Sequence, residues 1–468
     1  MSTANRDERG FNRQNIFTNQ KLRLSGLKLK SQDQLQLLFL SYYWPPSGGP
    51  GVQRGLKFVK YFPQAGIWPT VLTVDEKQAS YPLLDETFLN EVPQELEVHR
   101  TATSEPFEYY KKLSGKKEIP YSGFANQQGK VSLLDKVFKF VRGNLFIPDA
   151  RVGWNKHALR KAEELLQRGQ YSAILTTSPP HSTQLIGLEL RKKHNIKWIA
   201  DLRDPWTNIH YYDQLYHTAL AKRLDQKYER QVLEQADAVI VTSEDTKRLF
   251  LNKPIGIDPD KIHVIPNGYD DDDFIYPSAS PKDSFLITYT GTITETYNID
   301  VFLKVLAHLR SVHHEINYKL RFVGKVSEGV RTRIEKAGLI GITEFVPHVP
   351  HTRAIQYLME STILLLAIAD VPHVFANVPG KLFEYLASNK PIVCLGPVHS
   401  DTDRIIDECG AGRLFHYTAY ELMLDHMTQM SKAWLLNPNL DLPLINHTRY
   451  SRRYLTEQLA GVIRDLVD

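Results

Sequence analysis

Apolar residues along this chain fall in short runs separated by amphipathic stretches. LQLLFLSY (35–42), TVLTV (70–74), LEVHR (96–100), YSAILTT (171–177), KWIADL (197–202) and ADAVIVT (236–242) read as strands, with helical patterns between most of them. KIHVIPNG (261–268) closes this first series. The rhythm restarts with SFLITYTGT (284–292) and continues through KLRFVG (319–324), TEFVP (343–347), TILLLAI (362–368) and PIVCLG (391–396). Strands alternating with helices imply parallel sheets covered on both faces, so the expected class is α/β, in two units.

Other segments break the rhythm. Residues 1–34 are rich in Asn, Gln, Arg and Lys and read as a disordered or loosely attached tail. Within it, KLRLSGLKLK (21–30) fits an edge strand or a membrane-touching segment. Residues 101–150 form an insertion with one helix, LLDKVFKFVR. The polar DDDDFIYPSASPKDS (270–284) reads as a linker. The last pattern, RYSRRYLTEQLAGVIRDLVD, is a long amphipathic helix. The expected division is therefore 35–275, 284–445 and a terminal helix over 446–468.

Composition adds limits. At 468 residues the chain is too long for one ordinary core. Its 42% apolar and 24% charged residues are those of a globular protein. Two cysteines give no disulfide framework or zinc spacing, which fits a cytoplasmic setting. No apolar run is long enough to span a bilayer. The net charge of +4 is carried by residues 1–34, which leaves the rest balanced and argues against a nucleic-acid partner. Residues 111–142 hold eight Lys/Arg against two Asp/Glu, a basic patch suited to a membrane surface or an anionic acceptor, or simply a solvated loop.

The most informative stretch is NVPGKLFEYLASNKPIVCLG (377–396). Pro379 and Gly380 open a helix, and Lys381 and Glu384 lie one turn apart on one face. A helix start at the mouth of a parallel sheet offers backbone N–H groups to an anion, beside one cation and one carboxylate. A nucleotide-sugar site needs that set: positive charge for a diphosphate and an acceptor for ribose hydroxyls. The Pro-x-Lys-x-x-Glu-Tyr-Leu-Ala form resembles the donor segment of glycosyltransferase family 4, retaining enzymes of the GT-B fold, and in particular bacterial surface-polysaccharide members. The resemblance runs from about residue 35 to the C-terminus. It implies two Rossmann-like domains facing each other across a cleft, with the terminal helix packed back on the first.

Further site residues follow from that resemblance. In WPPSGGPGVQRG (44–55), Gly48, Gly49 and Gly51 permit close approach before a helix from about Val52 to Tyr61, and the family's loop here faces the donor phosphates. A plain tight turn is the alternative. Arg54 is a candidate anion contact. His181 in TSPPHSTQL follows a strand's C-terminal end and takes the family's role near donor sugar or acceptor; otherwise it caps the next helix or packs on the prolines. Asp201, Arg203 and Asp204 in IADLRDPW suggest acceptor binding, or an Arg–Asp pair that fixes the loop. Asp149, Arg151 and Trp154 line an acceptor groove or start the next helix. The carboxylates of IPNGYDDDDF read as solvated linker rather than as a metal site, and no metal or other cofactor is expected.

Gly291, Thr292, Gly324 and Lys325 resemble the loops that cradle the nucleotide, and Pro379, Gly380 and Leu382 complete the donor set. Two departures stand out. The Arg and Lys usual after the first strand of the second unit are replaced by Thr, Glu and Tyr. The first Glu of the family's two-glutamate motif falls on Ala376, which leaves Asp370, His373 or Asn377 as substitutes. The implied function is sugar transfer from a UDP-linked or similar donor to a saccharide or lipid-linked acceptor, with His181, Lys381 and Glu384 at the chemistry. A nucleotide-sugar epimerase and a non-catalytic binding module are the other readings.

Overall fold

The computed structural model describes residues 35–105, 133–209, 212–275, 280–371, 378–440 and 444–468. The expectations for the 1–34 tail, for most of the 111–142 patch, and for His373, Ala376 and Asn377 lie outside the described residues.

Seven parallel strands form the first sheet: β1 (Leu35–Leu40), β2 (Ile67–Val74), β3 (Val98–Thr101), β4 (Ala173–Ser178), β5 (Lys197–Leu202), β6 (Ala238–Val241) and β7 (Ile262–Val264), in the order β3-β2-β1-β4-β5-β6-β7. Six more form the second: β8 (Phe285–Thr290), β9 (Tyr318–Val323), β10 (Thr343–Val346), β11 (Ile363–Ala367), β12 (Ile392–Leu395) and β13 (Gly412–Phe415), in the order β10-β9-β8-β11-β12-β13. In each sheet the strand order reverses beside the first strand, between β1 and β4 and between β8 and β11. Parallel sheets of this kind hold their ligands at that crevice, off the carboxyl ends of the strands. The loops after β1, β4, β8 and β11 are therefore the ones to inspect. Each sheet has an apolar cluster on both faces, as parallel strands require.

Two differences from the sequence pattern have physical reasons. Strand β2 starts three residues earlier than expected and includes Pro69. That residue pairs with Leu37 of β1, whereas β3 joins only from Val71↔Val98, so the missing N–H falls before the second partner arrives. Strand β13 is additional to the expected set. Its short GRLF run opens on Gly412 at φ 140°, where an added Cβ would lie 2.0 Å from the Ile392 carbonyl oxygen. A glycine forced by close backbone approach disguises the strand.

The C-terminal helix (Arg452–Val467) returns to the first sheet. Its Leu455, Leu459, Ala460 and Ile463 are buried in one cluster with Phe39, Val52, Leu56 and Ile240. The two crossings between the halves run side by side: the Tyr269 N–H donates to the Tyr450 carbonyl (3.0 Å) and the Arg452 N–H to the Tyr269 carbonyl (2.7 Å). Gly268 (φ 70°) is required there, since a Cβ would meet the Tyr450 oxygen at 2.5 Å. The aspartate run beside it is not simply solvated. Asp270 is buried and accepts from Lys57 (2.5 Å), Lys60 (2.9 Å) and the Tyr61 hydroxyl (2.5 Å), which ties the crossing to the helix Pro50–Tyr61. Burial alone would raise its pKa, but the Lys57 and Lys60 charges and the three hydrogen bonds hold it well below the carboxylate range.

A second tie joins the halves through two helix starts. Asp245, in the first turn of Glu244–Leu251, accepts the Asp401 N–H (3.2 Å). Asp401, in the first turn of Asp401–Glu408, accepts the Asp245 N–H (2.9 Å). Each carboxylate thus satisfies an orphan amide of the other helix.

Candidate functional site

At the carboxyl end of β8 the chain turns through Gly291 (φ 98°), whose N–H donates to the Val323 carbonyl (2.7 Å). Gly324 (φ 126°) packs against it so closely that a Cβ would lie 2.6 Å from the Gly291 oxygen. The two glycines let the loops after β8 and β9 touch, and Thr292 and Lys325 stand exposed on their rim.

Lys381 points into the hollow beneath Gly291. Its Nζ donates to the Thr290 carbonyl (2.7 Å) and the Tyr289 hydroxyl (2.9 Å) and lies 4.2 Å from the centroid of the Tyr289 ring. Burial pulls its pKa down to about 8, against the opposing pull of Glu384. Lys381 is therefore no surface partner of Glu384; it is a partly desolvated cation held at a strand end.

Glu384 belongs to the same short helix, Lys381–Ala387, and its side chain is 25% exposed. Burial raises its pKa, and His351 opposes that shift. His351 opens the helix His351–Met359, with Nδ1 3.9 Å from Glu384 and Nε2 3.2 Å from Asp273. Burial would lower the imidazole pKa, but the Asp273 hydrogen bond and the Glu384 charge outweigh it and bring it up to about 9. An imidazolium thus bridges Glu384 to the segment that joins the two halves.

The helix start itself offers less than its sequence suggests. The Leu382 and Phe383 amides donate to the Pro379 (3.0 Å) and Gly380 (3.2 Å) carbonyls, which removes two donors from any ligand. The Leu382 side chain is fully buried in the core with Leu364 and Leu366, so the structure takes it out of the donor set.

Across the cleft, the loop after β1 passes through Gly48 and Gly49 (φ 95°) into the helix Pro50–Tyr61. At Gly51 a Cβ would lie 2.9 Å from Arg203 Nη1, so this guanidinium covers the helix start only because the residue is glycine. Arg203 Nη1 is buried and without a hydrogen-bond partner, while Nη2 reaches Asp204 at 3.5 Å.

Arg54 and Asp201 are not open to a ligand. Each is 1% exposed. Arg54 grips both Asp201 oxygens (2.9–3.2 Å) and donates to the Ile265 (2.9 Å) and Pro266 (2.7 Å) carbonyls, and Thr177 Oγ1 donates to Asp201 (2.7 Å). This pair fastens the helix Pro50–Tyr61 to β5 and the chain after β7. Asp149 and Trp154 are also structural. Asp149 accepts from Ser182 N (2.8 Å) and Oγ (2.9 Å), and Trp154 lies in the core. Arg151 is buried and donates to the Ser80 carbonyl (3.1 Å).

His181 does not cap the helix Ser182–His194 with its side chain. It stacks on Trp206, with centroids 4.7 Å apart and 15° between the planes. Burial lowers its pKa, which favours the neutral imidazole. Trp206 is fixed by its Nε1–H to Asp225 (2.8 Å). Asp204 stands near enough to act on the His181 charge, and so does Arg203.

The structure thus groups Lys381, Glu384, Gly291 and Gly324 on one side of the cleft and Gly51, Arg203, Asp204 and His181 on the other. Sequence reasoning passed over His351, Trp206 and Arg452, and read Asp273 with its neighbours as solvated linker. Only Trp206 carried a local signal, its place directly after the Arg203–Asp204 loop. Among the described residues no group of three or more His, Cys, Asp or Glu could hold a metal ion, and no helix is long and apolar enough to cross a membrane.

Comparison with known proteins bears on this geometry. Residues 122–273 match the model for Glycosyltransferase Family 4, and residues 270–441 match that for Glycosyl transferases group 1. Among solved structures, a glycosyltransferase from Rickettsia africae is similar at 13% identity and TM-score 0.58, over 93% of this chain and 99% of that one. A sucrose-phosphate synthase from Thermosynechococcus elongatus is similar at 15% identity and TM-score 0.56, over 92% and 99%. A UDP-GlcNAc 2-epimerase from Methanocaldococcus jannaschii shares the fold at 9% identity and TM-score 0.50, over 92% and 100%. No curated protein matches the chain.

Proposed function

As the chain belongs to the family 4 glycosyltransferases of the GT-B fold, we propose that it transfers a hexosyl or N-acetylhexosaminyl group from a nucleotide diphospho-sugar, UDP-linked, to an acceptor hydroxyl with retention of configuration. The acceptor is a saccharide or a lipid-linked saccharide of a bacterial surface-polysaccharide pathway. The observation that carries this reading is the pairing of a desolvated Lys381 with a cleft-facing Glu384 beside the Gly291–Gly324 crossing.

Glu384 accepts the ribose hydroxyls, and the His351 imidazolium 3.9 Å away opposes the burial that raises the pKa of that carboxylate. Lys381 lies where negative charge grows on the departing diphosphate, and Lys325 and Thr292 stand at the rim. On the opposite wall the Gly48–Gly51 loop approaches the phosphates, while His181, Arg203 and Asp204 face the acceptor. In the reaction the acceptor oxygen bonds to the sugar C1, the C1–O bond to diphosphate breaks with its electron pair on the diphosphate, and the hydroxyl proton is released. Catalysis then comes from positioning and from charge stabilisation in a site poor in water. The basic 111–142 stretch suits contact with an anionic membrane at the inner face of the bacterium, where a lipid-linked acceptor would lie.

Proton NMR of the protein with UDP-glucose, UDP-galactose or UDP-N-acetylglucosamine tests the reading. The expected result is slow release of UDP, with the free sugar first appearing in the donor's own anomeric configuration. A donor recovered as its C2 epimer would instead support the epimerase reading. A donor bound but left unchanged would support the binding-module reading, and a donor neither bound nor changed would contradict both.

A further inference from the structure

We propose that Arg452, the first residue of the C-terminal helix, is a donor-phosphate contact that takes the place of the arginine missing after β8. The inference rests on the donor reading above and adds a residue from outside the donor half.

The main chain at Arg452 is fixed on both sides. Its N–H donates to the Tyr269 carbonyl (2.7 Å), and its own carbonyl accepts from Thr456 Oγ1 (2.7 Å). The residue is 5% exposed, yet its Nη1 has no hydrogen-bond partner. It lines the hollow between the halves together with Gln53, Lys57, Asp273, His351 and Glu384.

The nearby carboxylates are already engaged. Asp270 is held by Lys57, Lys60 and Tyr61, and Asp273 by His351, which also stands 3.9 Å from Glu384. The opposite wall presents a second orphan, Arg203 Nη1, and the charges that act on the buried Arg452 are those of Arg54 and Arg203, which oppose it, and of Asp270 and Glu384, which favour it. A buried guanidinium nitrogen without a partner is costly, and the Arg54 and Arg203 charges raise that cost. An anion seated beside Arg452 relieves both. The planar fork of a guanidinium suits a phosphate group, and the loop after β8 offers Thr292, Thr294 and Glu295 where a cation would serve.

Calorimetric titration of native protein, Arg452→Gln and Arg452→Lys with UDP, GDP and the matching nucleosides tests this. The native protein should prefer a nucleoside diphosphate to its nucleoside. Arg452→Gln should weaken the diphosphate about tenfold or more, with nucleoside affinity unchanged, and Arg452→Lys should recover part of the loss. An equal loss for nucleoside and diphosphate would assign Arg452 to shaping the pocket and overturn the proposal, as would no loss. Should Arg452→Gln fail to fold, Arg452→Lys decides alone: diphosphate affinity equal to native overturns the proposal. A native protein that binds no nucleoside diphosphate sinks the donor reading itself, a different result from native binding that the variants leave untouched.

Discussion

Replacing Arg54 by methionine should unfold this protein at a much lower temperature. In the native molecule the guanidinium donates to both Asp201 oxygens and to the Ile265 and Pro266 carbonyls, with both charged residues 1% exposed. Methionine fills most of the volume but leaves Asp201 buried with only the Thr177 hydroxyl as partner. Breaking one side of a buried pair costs about 3–5 kcal/mol, and each orphaned carbonyl adds about 1 kcal/mol. The sum, about 5–7 kcal/mol, is a large part of a typical total stability of about 5–15 kcal/mol. At about 2–4 °C per kcal/mol for units of this size, the melting temperature should fall by about 10 °C or more. The double variant Arg54→Met/Asp201→Leu should lose less than Arg54→Met alone, because no orphan charge remains. Scanning calorimetry of the three proteins decides. A drop of under about 3 °C for Arg54→Met, or a double variant worse than the single, would refute the reasoning. A stable Arg54→Met with weakened ligand binding would return Arg54 to the binding site.

Three further outcomes are expected. The folded His351 pKa is raised to about 9, so the stability it contributes is complete below about pH 6.5 and lost as pH rises through 9; melting curves from pH 6 to 10 should show native protein converging on His351→Gln at the alkaline end. Gly51→Ala sets a Cβ 2.9 Å from the mobile end of Arg203, so it should change the melting temperature little yet weaken binding of an anionic ligand in calorimetry. Asp401→Ala removes the carboxylate that accepts the Asp245 amide, which at about 0.5–2 kcal/mol per lost cap should lower the melting temperature by a few degrees and widen the distribution of interdomain distances in small-angle scattering.

The pattern of runs carried most of the fold. KWIADL occupies the residues of β5, and the glycines singled out at 49, 291 and 324 all take positive φ. Strand β13 escaped because GRLF is short and opens on a glycine imposed by Ile392. The site was less legible, for a related reason. A sequence shows that Arg54 and Asp201 are charged, but not that a separation of 147 residues closes into one buried pair. The same holds for His351 and Asp273, 78 residues apart, which meet only because the crossing between the halves passes the helix His351–Met359. Arg452 went unremarked inside a stretch that read as a long amphipathic helix, since only the return of that helix to the first sheet makes the position an interior one. Lys381 and Glu384 were found because their spacing along one helix is local.

The measurement that tests the central claim most directly is a thermal shift with UDP, GDP, CDP and dTDP, run on native protein and on Glu384→Gln. A ligand at 100 times its Kd adds about 2.7 kcal/mol, which corresponds to roughly 5–10 °C here. The account predicts a selective shift of that size with one nucleotide, lost in Glu384→Gln. Native protein unmoved by all four, or a shift that Glu384→Gln keeps in full, would contradict it.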